Sequence, residues 1–93
     1  MFTITWTETA FKQLNKLPRI IAKSIFKKID ELKDNPRGSQ VKKLVGRPYY
    51  RLRVGDYRII FDIQDQNLVI LIIEIGHRKK IYSSRISKII NAI

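Results

Sequence analysis

Cysteine is absent from the 93 residues. That excludes disulfides and thiolate metal ligands, and it leaves the redox compartment open. With one histidine as well, a structural zinc site has no ligand set to draw on. No apolar run is long enough to span a bilayer. The N-terminal stretch "MFTITWTETAF" lacks the basic start and apolar h-region of a signal peptide, so the expectation is a cytoplasmic protein. Repeats, low-complexity segments and linkers are also missing. Acidic residues are few: 8 against 19 Lys and Arg, a formal net charge of +11. From Ile75 onward there is no acid, while Arg78, Lys79, Lys80, Arg85 and Lys88 are all basic. A field of that strength on so short a chain attracts polyanions: nucleic acid, an acidic protein or an anionic membrane. The 44% apolar content suits one small globular domain over residues 1–93 with a modest core.

The apolar pattern predicts the elements. "FTITW" alternates and is β-rich, so it reads as a first strand. Thr7 is placed to cap a helix with Glu8 in its first turn, where the helix dipole favours an acid. Phe11 and Leu14 are expected to point inward from that helix. Pro18 suits the start of a second helix, in which Ile21, Ile25, Ile29 and Leu32 recur at helical spacing, with Phe26 beside them. "DNPRGS" ends it, and residues 36–48 form a connector. "YYRLRVGDYRIIF" reads as a tight hairpin. "LVILIIEIG" is apolar on both faces and belongs in the middle of a sheet. "SSRISKIINAI" carries Ile86, Ile89, Ile90 and Ile93 on one side and reads as a final short helix. The expected class is α+β: a small antiparallel sheet with an N-terminal helical hairpin packed on one face and a C-terminal helix, in the order β-α-α-β-β-β-α.

The hairpin holds the first chemical signal. Alternation puts Leu52 and Val54 on one face of its first strand, with Arg51 and Arg53 on the other. In the second strand Tyr57, Ile59, Phe61 and Ile63 share a face, and Arg58 looks the opposite way. If the apolar faces coincide, the arginines crowd one side, where like charges repel. Such a face is either ordinary solvated surface, partly neutralised by Asp62 and Glu74, or a site that binds an anion. "GHRKKIY" follows the central strand and supplies His77, Arg78, Lys79, Lys80 and Tyr82. Imidazole shuttles protons near neutral pH, guanidinium binds phosphate bidentately, and a phenol stacks on bases. Together these groups suit RNA cleavage by the neighbouring 2′-hydroxyl, which needs a base, an acid and cations but no metal.

The run "DNPRG", "KKLVG", "YYRLRVGDYRIIF" and "IIEIGHRKKIY" resembles the RelE/ParE toxin superfamily over nearly the whole chain, and most closely its RelE-like mRNA endonucleases. The resemblance implies the toxin of a type II toxin–antitoxin pair, cleaving mRNA in the ribosomal A site without cofactor. Its partners would be the ribosome, mRNA, a cognate antitoxin with an acidic, partly disordered segment, and operator DNA bound through the antitoxin complex. By the same resemblance Arg58 is the phosphate-binding arginine of the middle strand, Arg78 sits at the scissile phosphate, and Tyr82 stacks on the substrate nucleotide. Arg51 and Arg53 stand where relatives often carry lysines. Arginine is a poor proton acceptor, so those two bind phosphate, with Lys79 and Lys80, and His77 becomes the candidate base or acid. Lys27 and Lys28 on the helical hairpin, with Lys42 and Lys43 in the connector, are candidate contacts to ribosomal RNA phosphates. The superfamily also contains ParE-like toxins that bind DNA gyrase and cleave nothing. A regulatory member that binds antitoxin without cleaving is a third possibility.

Overall fold

A computed structural model describes residues 1–80. The chain runs β1 (Thr3–Trp6), α1 (Glu8–Asn15), α2 (Arg19–Asp30), a 3-10 turn (Glu31–Lys33), β2 (Val41–Lys43), β3 (Tyr50–Val54), β4 (Tyr57–Gln64) and β5 (Val69–His77). The strands form one sheet in the order β1-β5-β4-β3-β2. The expected C-terminal helix, with Ile86, Ile89, Ile90 and Ile93, and the candidate Tyr82 lie outside the described residues.

The α+β class and the helical hairpin on one sheet face are as the pattern predicts, and two features enlarge the sheet. The connector contributes β2, which pairs antiparallel with β3 through Val41↔Leu52, Lys42↔Arg51 and Lys43↔Tyr50. The sheet is also mixed: β1 runs parallel to β5, from Thr3↔Val69 to Trp6↔Ile72. The helical hairpin carries the chain across one sheet face from β1 to β2 at the opposite edge, and the antiparallel strands then return to β5 beside β1.

Thr7 caps α1 as its chemistry predicts, its hydroxyl oxygen accepting from the Ala10 N–H at 3.0 Å. The same hydroxyl donates to the Ile73 carbonyl at 2.8 Å. One turn further on, the Gln13 side-chain oxygen accepts from the Ile75 N–H at 2.7 Å. β1 stops opposite Ile72, so these two α1 side chains satisfy the β5 backbone beyond it. They also lock the helix to the strand that carries the site.

The main core lies between helices and sheet. Ala10, Leu14, Ile25, Ile29 and Leu32 pack against Leu52, Ile59, Phe61, Ile63, Ile70, Ile72 and Ile75. Phe11 is a correction. It is 54% exposed, and the small Ala10 takes the inward position, because α1 lies close on β5 and leaves no room for a ring there. Phe26 also stays largely outside and stacks on Trp6 at 6.3 Å between ring centroids.

The β3–β4 turn has two residues, Gly55 and Asp56, and the positive φ falls at Gly55 alone (+56°). That is the type II′ pattern, whose twist matches the flanking strands. β5 carries a bulge: Ile60 pairs with Glu74 but Phe61 pairs with Ile72, so Ile73 is the extra residue.

Candidate functional site: the arginine face of the sheet

Register fixes which side chains share a face. Leu52↔Ile59 and Val54↔Tyr57 place the apolar residues of the hairpin together against the helices. The intervening pairs therefore look the other way. Arg53 lies directly opposite Arg58, and Arg51 opposite Ile60. The three hairpin arginines do gather on one side, away from the helices. Arg53 sends its N–H outward to the Gln40 carbonyl (3.1 Å) rather than to β4. Arg53–Arg58 is thus a pair without mutual backbone hydrogen bonds, the kind in which side chains stand closest.

β2 widens this surface. Lys42 is directly opposite Arg51, so it joins the same face. The row across the sheet reads Lys42, Arg51, Ile60, Glu74. Glu74 is 1% exposed, and is the one buried charged residue among those described. Glu74 stands in the row of Arg51 and puts one negative charge on the arginine face. Around Ile60, the side chains of Leu44, Tyr49 and Ile73 form a small second core. Leu44 lies in no alternating segment, whereas Tyr49 heads the hairpin stretch and falls by alternation on the face of Arg51 and Arg53.

Arg58 is held at the turn: its Nη1 donates to the carbonyls of Gly55 and Tyr57, each at 3.0 Å. Across from it on β5 stands Gly76, which presents no side chain. Arg78 lies just past β5 and is tied to the same turn. Its N–H donates to the Asp56 carbonyl at 2.7 Å, and its Nε lies 3.6 Å from the Asp56 carboxylate. Arg58 and Arg78 are therefore brought to one end of the sheet by a single turn.

His77 is not on this face. It pairs with Tyr57, a helix-side residue, and its ring meets the Tyr57 ring edge-on at 5.7 Å. Grouping His77 with the arginines, as chain proximity suggests, overlooks that Gly76 and His77 project to opposite sides of β5. Its Nδ1 accepts from the Lys79 N–H at 3.2 Å, which puts the ring proton on Nε2, and its carbonyl accepts from the Lys80 N–H at 2.8 Å. Lys79 and Lys80 thus sit in a turn that His77 shapes, with both side chains exposed.

The lysines proposed from sequence do not form one surface. Lys27 and Lys28 lie on α2, across the sheet from the arginines, and Lys28 reaches Glu31 at 3.7 Å. Lys43 pairs with Tyr50 on the helix side, so Lys42 alone adjoins the site. Arg37, which the sequence reading passed over, forks onto Asp65 at 2.9 and 3.1 Å and covers the Tyr50 ring. It is a brace between the connector and the β4–β5 turn.

On the arginine face Lys42 and Arg53 are exposed, and Arg51 and Arg58 are half-buried. A groove of about 420 Å³ lies elsewhere, between the β1 edge and α2, lined by Met1, Phe2, Ile4, Trp6 and Phe26. A cationic face with a small apolar floor suits a polyanion.

Residues 4–82 match the family model described as the ParE toxin of type II toxin–antitoxin systems. The chain therefore belongs to this toxin family. Its relatives are RelE-like. It is 28% identical to the mRNA interferase toxin RelE of Escherichia coli (strain K12), over 96% of this chain and 98% of that protein. It is 32% identical to the toxin RelG of Mycobacterium tuberculosis, covering 87% and 95% respectively. Among solved structures, the RelB–RelE antitoxin–toxin complex of Methanococcus jannaschii superposes with a TM-score of 0.67 at 32% identity, covering 84% of this chain and 94% of the other.

Proposed function

We propose that this toxin is a ribosome-dependent endonuclease that cuts mRNA in the A site. The observation that carries the reading is the gathering of Arg51, Arg53 and Arg58 on one face of the sheet, with Arg78 fixed at its end. In the reaction the 2′-oxygen of one nucleotide attacks the adjacent phosphorus. An O–P bond forms, the P–O5′ bond breaks, the 2′-hydroxyl proton leaves, and the 5′-oxygen gains a proton. Charge grows on the non-bridging oxygens, and fixed guanidinium groups are the side chains that stabilise it best. Arg58 and Arg78 fill that role. Arg51, Arg53 and Lys42, with Lys79 and Lys80, hold the flanking phosphates, and Tyr82 stacks on a substrate base. No step draws on a bound metal or cofactor.

His77 is assigned to shaping the Arg78–Lys80 turn, since its ring faces the helix side and its Nδ1 is engaged there. The relatives named for mRNA cleavage and the RelB-bound structure support a cytoplasmic toxin held in check by an antitoxin. An acidic antitoxin segment would neutralise the arginine face, and the pair would bind operator DNA.

The test is primer extension on a defined mRNA in a translation reaction. Wild type should cut within codons, and Arg58→Ala and Arg78→Ala should each lose about a hundredfold or more in rate. His77→Gln should stay within about tenfold, whereas loss of a proton-transfer group costs about a hundredfold to ten-thousandfold. An intact message from a protein that still arrests growth would sink the endonuclease reading. Gyrase supercoiling assays would then test the ParE-like alternative that the family name keeps in view.

A further inference from the structure

The Gly55–Asp56 turn does more than reverse the chain. The Gly55 carbonyl holds Arg58, the Asp56 carbonyl holds the Arg78 backbone, and the Asp56 carboxylate faces Arg78 Nε. The backbone contact, at 2.7 Å, fixes where the Arg78 side chain starts. It leaves the direction of that side chain open, and an arginine has many rotamers to choose from. The Asp56 carboxylate is the acid that stands beside that side chain. It meets the guanidinium at Nε, the nitrogen nearest the stem, at 3.6 Å. A carboxylate there orients the plane and leaves the outer nitrogens as the part available to a phosphate. The pair is more than half exposed on both sides, so it is loose and adds little to folding.

We infer that Asp56 is a positioning residue, which orients Arg78 so that it and Arg58 address the same phosphate. The inference rests on the endonuclease reading, because it assigns Asp56 a part in that reaction. It makes the turn sequence, rather than the strands, the element that sets the spacing between the two cations. Group placement at this level matters for rate, since a displacement of about 1 Å can cost about a hundredfold.

The test uses the full chain with three variants. Asp56→Asn keeps the size and the backbone carbonyl and removes the charge. Asp56→Glu keeps the charge. Arg78→Ala assigns the Arg78 resonance. The first readout needs no substrate: the Nε–Hε NMR signal of Arg78, in wild type and Asp56→Asn. The second is the rate of mRNA cleavage against ribosome concentration. The expected result is that Asp56→Asn shifts the Arg78 signal, lowers the maximal rate about tenfold and leaves half-saturation unchanged, while Asp56→Glu restores most of the rate. An Arg78 signal indifferent to Asp56→Asn overturns the inference whatever the cleavage data show. A shifted signal with an unchanged or raised maximal rate overturns it as well. A shifted signal in a protein whose wild type cuts no message retains the contact, but the endonuclease reading fails and takes the positioning role with it.

Discussion

Arg53 and Arg58 stand directly opposite each other, in the type of pair where side chains approach most closely. Two guanidinium groups so placed cost the free protein about 0.2–1 kcal/mol relative to a neutral partner. Replacing Arg53 with Thr, a good strand residue, should therefore stabilise the fold by roughly that amount in urea denaturation while weakening mRNA cleavage. A destabilised Arg53→Thr variant would mean that Arg53 makes a structural contact that outweighs the repulsion. The arginine face was legible in the sequence because strand alternation is a strict period of two. The side that His77 takes is not legible, since the bulge at Ile73 shifts the alternation of β5 before it. Nor is the place of Lys42 opposite Arg51 legible, because nothing in "VKK" announces a strand.

At the level of elements, the Thr7 hydroxyl serves two of them at once, accepting at the start of α1 and donating to the β5 carbonyl of Ile73. Thr7→Ala should cost about 1–2 kcal/mol, from the lost cap and the abandoned carbonyl together. Thr7→Ser should recover most of it. Thermal or urea unfolding of the three proteins measures both, and equal losses for Ala and Ser would show that the methyl group rather than the hydroxyl matters. The cap was readable because Thr-Glu before an apolar run is a local signal. So were α2 and the hairpin. The parallel pairing of β1 with β5, β2 and the bulge at Ile73 were not, because each depends on a neighbour far along the chain. Phe11 shows the same limit: hydrophobicity alone pointed it inward, and the close approach of α1 to β5 gave the place to Ala10.

Over the whole molecule, the charge of +11 leaves few acids to hold distant segments together, and Asp65 is one that does. The hydrogen bonds from Arg37 hold its carboxyl below the ordinary carboxylate value. A carboxyl depressed on folding contributes stability above its unfolded value, near 3.9, and that contribution is lost as the pH falls through the lower, folded value. The stability difference between wild type and Arg37→Gln should thus be present at neutral pH and close in strong acid, as the pH falls through the lowered folded value. A gap that persists there would assign the effect of Arg37 to its cover over Tyr50 instead.

The partnership between the first strand and the last has a consequence during synthesis. Thr7 and Ile73, which bond directly, are 66 residues apart. Both β1 and α1 have their place on β5, so neither can dock until residues 69–77 have left the exit tunnel of the ribosome. A nascent chain halted earlier has the β3–β4 hairpin but not the strand on which α1 docks. For a protein proposed to attack translating ribosomes, this ordering is a safeguard. Products that stop short of β5 cannot complete the fold, and the ribosome making the chain has read well past residue 77 before β1 and α1 can dock.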